Sequence, residues 1–355
     1  MIMAGGTGGH VFPGLAVADE LRERGRGVVW LGTRRGLEAR VVPQHGIEIE
    51  WISISGLRGK GIGAWAATPF RAAFAVAQAL AALRRRKPSA VLGMGGFVSG
   101  PGGVAAWLAR KPLLIHEQNS IAGTTNRWLA RFAARVFEAF PGSFPSGVDA
   151  ECIGNPIRRS IAALPPAAER IASDARRARV LVLGGSQGAA VLNRTLPAAL
   201  ARLPAEARPD VRHQAGARHE ETRAAYRDAG VDADVTAFID DMAAAYAWAD
   251  LVVARAGALT LSELAAAGLG AVLVPYPHAI DDHQSRNAER FTAAGAAVVV
   301  AERDLDPARL AAELEALLAD PGRLASMARA ARGLARVDAA ERLAAACLEY
   351  AEAAA

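Results

Sequence analysis

Residues 1–14 read MIMAGGTGGHVFPG: a four-residue apolar run, five residues from Gly5 to Gly9 that are glycine except for Thr7, and then a histidine. Glycines at a strand-to-helix turn let the backbone approach a ligand closely, most often a phosphate. No Gly-Lys-Ser/Thr follows, which excludes a P-loop, and the spacing does not fit G-x-G-x-x-G. The pattern returns as RVLVLGGSQG at 179–188, again an apolar run, Gly-Gly, a hydroxyl residue and another glycine. Gly5 and Gly184 stand 179 residues apart, about half of the 355-residue chain. We expect two similar domains, each with a glycine turn at the carboxyl end of its first strand, facing one another across a cleft.

The rest of the chain fits that division. Short β-branched runs occur at 28–32, 47–52, 90–96, 112–119 and 135–140, then again at 179–188, 211–216, 250–257, 271–277 and 296–302. Alanine- and leucine-rich stretches of helical length separate them. Strand alternating with helix predicts α/β domains with doubly wound parallel sheets, covered on both faces. The proline-bearing segment GNPIRRSIAALPP (154–166) is the natural linker.

Composition narrows the class. The chain is 52% hydrophobic and 22% charged, enough to bury large cores. Cys152 and Cys347 form no metal or disulfide pattern, which points to a reducing compartment. No signal peptide opens the chain, and no stretch of ~20 residues is apolar enough to span a bilayer. Residues 1–157 carry 18 basic against 10 acidic side chains, a balance of +8, whereas residues 158–355 carry −3. A basic half joined to a mildly acidic half suggests that the first half meets an anionic partner. Nearly all of that basic charge is arginine, which with the heavy alanine content reflects base composition rather than function.

Other motifs end strands in polar or open loops. GMGGFVSGPGG (93–103) is Gly, Pro or Ser at eight of eleven positions, serving either a ligand or tight helix–sheet packing. HEQNSIAG (116–123) places four polar residues at a strand's carboxyl end, where His116 and Glu117 are either functional or structural. RAGALTLSELAAAG (255–268) reads as strand, glycine turn and a helix with Thr260, Ser262 and Glu263 in its first turns. Its amino terminus suits a diphosphate, and a carboxylate just inside it can accept from ribose hydroxyls. HAIDDHQSRNA (278–288) matches no metal-ligand spacing, so we read Gln284 and Asn287 as hydrogen-bonding a sugar or ribose. Residues 64–83 form an apolar helix ahead of Arg84-Arg85-Arg86-Lys87. It is either a core-facing crossover helix or a surface segment that lays Trp65, Phe70 and Phe74 into a membrane, with basic residues at the headgroups.

Taken in order, GGTGGHVFPGLAVA, ISGLRGKG, GMGGFVSGPGG, HEQNSIAG, GNPIR, GGSQGA, FIDDMAAAYAWAD and RAGALTLSELAAAG resemble the MurG family of bacterial N-acetylglucosaminyltransferases. The resemblance runs to about residue 300. It implies the GT-B architecture, two facing Rossmann-like domains: an acceptor and membrane-side domain over 1–157, with a helix at about 338–355 packing back on it, and a UDP-GlcNAc domain over 158–337. It implies inverting transfer of GlcNAc from UDP-GlcNAc to the C4 hydroxyl of the muramyl sugar of lipid I, giving lipid II, with no cofactor and no essential metal. The implied place is the cytoplasmic face of the inner membrane, bound peripherally. The implied partners are UDP-GlcNAc, lipid I, the membrane surface and other cell-wall and division proteins, with no nucleic acid.

Residue by residue, the resemblance puts Thr7, Gly8 and Gly9 near the sugar and phosphates of the nucleotide, Asn119 on the sugar side, Arg158 on the nucleotide and Ser186 on the diphosphate. Ile239 packs against uracil. Ala258, Leu259, Thr260, Leu261, Ser262 and Glu263 present the helix terminus to the diphosphate, with Glu263 on the ribose, and Gln284 completes the set. Removal of the acceptor proton falls to His10, because a neutral imidazole suits a base near pH 7, with Glu117 in reserve or orienting an imidazole. Met1 to Ala4 supply only about half of a usual strand of ~5–6 residues, so either the first strand is short or the true start lies upstream. The competing readings are a UDP-GlcNAc 2-epimerase and a non-catalytic nucleotide-sugar-binding or scaffold subunit. HEQN and the first glycine turn disfavour both.

Overall fold

A computed structural model of the chain describes residues 1–54, 68–173, 176–185, 188–279 and 282–353. The chain divides into two compact units, Met1–Arg158 with Val337–Ala355, and Arg159–Arg336.

The first unit is built on a seven-stranded, wholly parallel sheet of order β3-β2-β1-β4-β5-β6-β7. Its strands are β1 (Ile2–Met3), β2 (Val29–Gly32), β3 (Glu48–Trp51), β4 (Val91–Gly93), β5 (Leu113–Glu117), β6 (Arg135–Glu138) and β7 (Ala150–Cys152). Ile2, Met3, Trp30, Leu92 and Leu114 are buried because helices cover both faces, which is why these strands read as unbroken apolar runs. β1 is two residues long, yet it pairs on both sides, Ile2 with Trp30 and Leu92, Met3 with Leu31 and Gly93. The helix Gly8–Glu23 shares one core cluster with the helix Ala339–Ala353, with Leu15, Leu21, Leu343 and Cys347 in common. The last helix of the chain is thus part of the first unit.

The second unit carries a six-stranded parallel sheet of order β10-β9-β8-β11-β12-β13. The strands are β8 (Arg179–Leu183), β9 (Asp210–Gln214), β10 (Asp234–Thr236), β11 (Leu251–Ala254), β12 (Gly270–Leu273) and β13 (Ala297–Val299). In each sheet the strand order reverses once, between β1 and β4 and between β8 and β11. Ligands of open parallel sheets settle outside the carboxyl ends of the strands at such a reversal. The turns found there are Gly5–Thr7 and Gly95–Val98 in the first unit, and those after Leu183 and Ala254 in the second.

Candidate active site

At the reversal in the first sheet, two glycine loops touch backbone to backbone. A β-carbon on Gly96, whose φ is +79°, would lie 2.1 Å from the carbonyl oxygen of Gly5. One on Gly5 would meet Oε1 of Glu38 at 2.7 Å and Val98 at 2.8 Å. Glu38 is fully buried and accepts from Gly6 N (2.9 Å), Thr33 N (2.9 Å) and Thr33 Oγ1 (2.7 Å), so its carboxylate pins the turn. Part of the glycine signal therefore serves close packing.

His10 projects from the first turn of the helix Gly8–Glu23. Thr7, at the N-cap with extended backbone, hydrogen-bonds His10 Nδ1 through Oγ1 at 3.1 Å. Gly8 and Gly9 begin that helix half-buried, beside an exposed Thr7. Arg158 stands with its guanidinium carbon 5.1 Å from the ring centre of Phe12, two residues beyond His10. Gly95 presses on the histidine itself, since a β-carbon there would lie 2.2 Å from His10 Cδ2 and 2.7 Å from Nε2. Thr7, Gly8, Gly9, His10 and Arg158 are thereby gathered around one turn.

HEQN closes the same end of the sheet in a different manner for each residue. His116 is fully buried, and burial pushes its imidazole down to about 4, so it is neutral. Glu117, also buried, accepts from Asn119 N (3.0 Å), Asn119 Nδ2 (3.1 Å), Gly123 N (3.1 Å) and Asn126 Nδ2 (2.9 Å). Four N–H groups saturate that carboxylate, which orders the 119–123 loop. The carboxylate is thereby the anchor of Asn119. Asn119 spends its amino group on Glu117 and its backbone carbonyl on Ser143 Oγ (2.8 Å), which turns Oδ1 away from the carboxylate.

In the second unit Ser186 lies outside the described residues. Its flanks are tightly fixed: a β-carbon on Gly184 would meet Ala189 N at 2.7 Å and Gln214 O at 2.9 Å. Beneath, the buried His213 hydrogen-bonds Tyr226 Oη (3.0 Å) and Asn193 Oδ1 (3.2 Å), and Asn193 Nδ2 donates to Ala215 O (2.9 Å). At the neighbouring β11 the chain turns through Gly257 into the helix Ala258–Ala267, whose first N–H groups receive no side-chain cap. That terminus carries partial positive charge and free donors. Ala258 and Leu261 are buried, Leu259, Thr260 and Ser262 are half-buried, and Ser262 Oγ turns back to Ala258 O (3.0 Å). Glu263 is 5% exposed and accepts from the hydroxyl of Tyr246 at 3.0 Å. Ile239 lies half-buried in the loop after β10, just before the helix Met242–Trp248.

Gln284 accepts from Tyr276 N at 2.9 Å, which ties its amide to the loop after β12. Asn287 does not match the expected sugar contact. It is fully buried and donates to Ala256 O (3.2 Å), bracing the β11 turn from below. Arg255 braces it too, donating to Val274 O (3.1 Å) and pairing with Glu302 at 2.6 Å. Among the described residues no group of three or more His, Cys, Asp or Glu is placed to hold a metal, and Asp281 lies outside them.

The helix Thr68–Arg86 divides its faces unexpectedly. It buries Ala75, Ala79, Ala82 and Leu83, and leaves Phe70 80% and Phe74 58% exposed. Its basic end is partly spent. Arg85 and Arg86 both pair with Glu50 on the edge strand β3, Arg86 Nε at 2.6 Å, and Arg86 also reaches Glu48. Those hydrogen bonds, Arg85 foremost, hold the Glu50 carboxyl below the usual range. Trp65 lies outside the described residues. Sequence reading missed further exposed aromatics on neighbouring helices, Trp107 and Trp128, which both pack on Phe132 with ring centres 5.5 and 4.9 Å away. No helix among the described residues is long and apolar enough to cross a membrane.

Residues 1–138 match the glycosyltransferase family 28 N-terminal domain and residues 179–343 its C-terminal domain. The chain is 60% identical over 352 residues to a Nitrosococcus oceani protein, covering 99% of this chain and 98% of that one. It is 57% identical to an Alkalilimnicola ehrlichii protein at the same coverage. Both of those proteins are named UDP-N-acetylglucosamine--N-acetylmuramyl-(pentapeptide) pyrophosphoryl-undecaprenol N-acetylglucosamine transferase. Among solved structures, Acinetobacter baumannii MurG superposes with a TM-score of 0.82 at 40% identity, covering 98% of this chain and 99% of its own.

Proposed function

The chain belongs to glycosyltransferase family 28, and from that premise we propose that it transfers GlcNAc from UDP-GlcNAc to the C4 hydroxyl of the muramyl sugar of lipid I. The product is lipid II for peptidoglycan, formed with inversion at the transferred carbon. The observation that carries this reading is His10, held through Nδ1 by Thr7 at the reversal of the first sheet.

We assign Nδ1–H as the donor to Thr7 Oγ1, a tautomer that the 3.1 Å contact allows and that makes Nε2 the basic nitrogen. The acceptor oxygen attacks C1 of GlcNAc as its proton passes to His10 Nε2. The bond from C1 to the diphosphate breaks, and its electron pair leaves on UDP. In the second unit, the helix terminus at Ala258 meets the charge growing on that diphosphate, and we assign Ser186 to the same group. Glu263 takes the ribose hydroxyls, Ile239 the uracil and Gln284 a further polar contact. Thr7, Gly8, Gly9, Asn119 and Arg158 we assign to sugar and phosphate groups in the first unit.

A lipid-linked acceptor requires the enzyme to reach a membrane surface. Exposed Phe70, Phe74, Trp107 and Trp128, near Arg71, Arg127 and Arg131, supply the apolar and basic groups such docking uses, on the cytoplasmic leaflet where the nucleotide sugar is found. Incubation with UDP-GlcNAc carrying a radiolabelled sugar and a short-chain lipid I analogue tests the activity. We expect label in a disaccharide lipid with UDP released. Epimerised sugar, or binding without transfer, would overturn the reading.

A further inference from the structure

The strand β9 and the turn after it read His213-Gln214-Ala215-Gly216, and the assigned roles use none of these residues. Two successive carbonyls there carry the second glycine loop. A β-carbon on Gly184, where the loop begins, would lie 2.9 Å from the carbonyl oxygen of Gln214, and Gly184 N donates to that same oxygen at 3.1 Å. One on Gly188, where the loop ends with a φ of +75°, would lie 2.5 Å from the carbonyl oxygen of Ala215. The loop is seated on this backbone at both of its ends, so whatever fixes Ala215 fixes the exit of the loop.

A chain of buried side chains fixes it, and the direction of every bond follows from the Ala215 end. The N–H of Ala215 donates to Thr236 O (2.9 Å), while its carbonyl can only accept, so Asn193 turns its amino group there (2.9 Å). Flipped, the amide would set Oδ1 against that carbonyl. Oδ1 therefore faces His213 Nε2 at 3.2 Å, and Nε2 carries the hydrogen. Burial pushes the His213 imidazole down to about 3, so the ring is neutral and Nδ1 is the acceptor. The hydroxyl of Tyr226 donates to it at 3.0 Å, and burial pushes that phenol up, which keeps its proton in place. One ring in one tautomer thus joins Tyr226, on the helix His219–Asp228, to Asn193, on the helix Ala190–Ala201 that leaves the glycine loop. A buried polar network with every member satisfied specifies a single arrangement.

We propose that His213 is a positioning residue for donor binding: its Nε2–H tautomer aims Asn193, and through Asn193 it holds the Ala215 carbonyl on which the second glycine loop closes. This rests on the assignment of that loop, with Ser186, to the diphosphate of UDP-GlcNAc. A loop that meets a phosphate with its backbone binds well only if it is in place beforehand. Contact between Gly188 and the Ala215 carbonyl passes any displacement of that carbonyl to the loop. The arrangement also explains a polar side chain at a fully buried strand position: a leucine at 213 would fill the space and aim nothing.

Calorimetric UDP binding and steady-state turnover with the lipid I analogue test this on the full chain. Asn193→Leu keeps the size and the helix propensity of the site but makes neither bond. Kd for UDP and KM for UDP-GlcNAc should rise about 10-fold, the scale of one hydrogen bond, with kcat little changed. Tyr226→Phe removes the donor to Nδ1 and keeps the ring that packs there. His213 should then populate its Nδ1–H tautomer, read from the nitrogen chemical shifts of the imidazole, and Kd for UDP should rise ~3-fold. A network that only stabilises the unit would lower the urea midpoint and leave UDP affinity of the folded protein at the wild-type value; that result in either variant would overturn the proposal. Ser186→Ala separates it from the reading beneath it. Wild-type UDP affinity in Ser186→Ala would remove the diphosphate assignment and the proposal together, whereas a loss there with none in Asn193→Leu would overturn the proposal alone. Should Asn193→Leu fail to fold, judged by circular dichroism, Tyr226→Phe carries the test.

Discussion

The hydroxyl of Tyr246 donates to Oε2 of Glu263 over 3.0 Å, and both side chains are buried. The bond joins the helix Met242–Trp248 to the first turns of the helix Ala258–Ala267, so the carboxylate is oriented before any ligand arrives. Preorganisation of this kind removes an ordering cost from binding. Glu263→Ala should weaken UDP binding by ~1–3 kcal/mol, and Tyr246→Phe by ~0.5–1.5 kcal/mol, both read by calorimetry. Unchanged UDP affinity in Glu263→Ala would take that residue off the ribose.

Gly95 makes a second prediction. Its φ of +92° disfavours any side chain, and a β-carbon would sit 2.2 Å from His10 Cδ2. Gly95→Ala must therefore push the imidazole aside. We expect kcat to fall ~10²-fold, the scale of a misplaced general base, with UDP affinity and melting temperature of the second unit little altered. Wild-type kcat in this variant would show that the ring does not act from its observed position.

Much of the fold was legible because buried parallel strands advertise themselves as apolar runs ending in glycine turns. Gly5 and Gly184 both fall at a sheet reversal, as the internal repeat implied. The strands that escaped notice, β7 and β10, lie at sheet edges with three residues each, AEC and DVT, too short and polar to stand out. At the site, His10 and the Ala258 helix were readable from local pattern. Glu38, Tyr246 and the pairing of Arg85 and Arg86 with Glu50 were not, because each joins residues 17 to 36 positions apart that only the folded chain brings together. For the same reason Asn287, which donates to Ala256 O, looked like a sugar ligand.

Two buried histidines predict the response to acid. Burial pushes His116 down to about 4 and His213 to about 3. In the unfolded chain both titrate near 6.5. Above that value neither state binds the proton and the stabilisation is complete. As pH falls, the unfolded chain takes up protons that the folded one refuses, so stability declines until the folded values are reached. By pH 5 each histidine should have lost roughly 2 kcal/mol. Urea unfolding at pH 8 and pH 5, followed for each unit, should show lower midpoints in acid, and His213→Gln should flatten the dependence of the second unit. Identical midpoints at the two pH values would contradict the burial of both rings.

The last prediction concerns the aromatic faces of the first unit. The helix Thr68–Arg86 turns alanines inward and phenylalanines outward, contrary to what burial of apolar area alone would favour. Trp107 and Trp128 repeat this on the two helices that follow. Each large aromatic that inserts at an interface contributes through its apolar area, and each basic residue near an anionic surface contributes ~1 kcal/mol, which salt weakens. Arg85 and Arg86 make poor probes of docking, because charge reversal there would break their pairs with Glu50 and disturb the edge strand. The informative variant replaces Phe70, Phe74, Trp107 and Trp128 by serine, and a second replaces Arg127 and Arg131 by glutamate. Both should sediment less with vesicles of anionic phospholipid at low salt, the second losing more of its difference as salt rises, while UDP affinity stays at the wild-type value. Full sedimentation of the aromatic variant would mean that these faces meet something other than lipid.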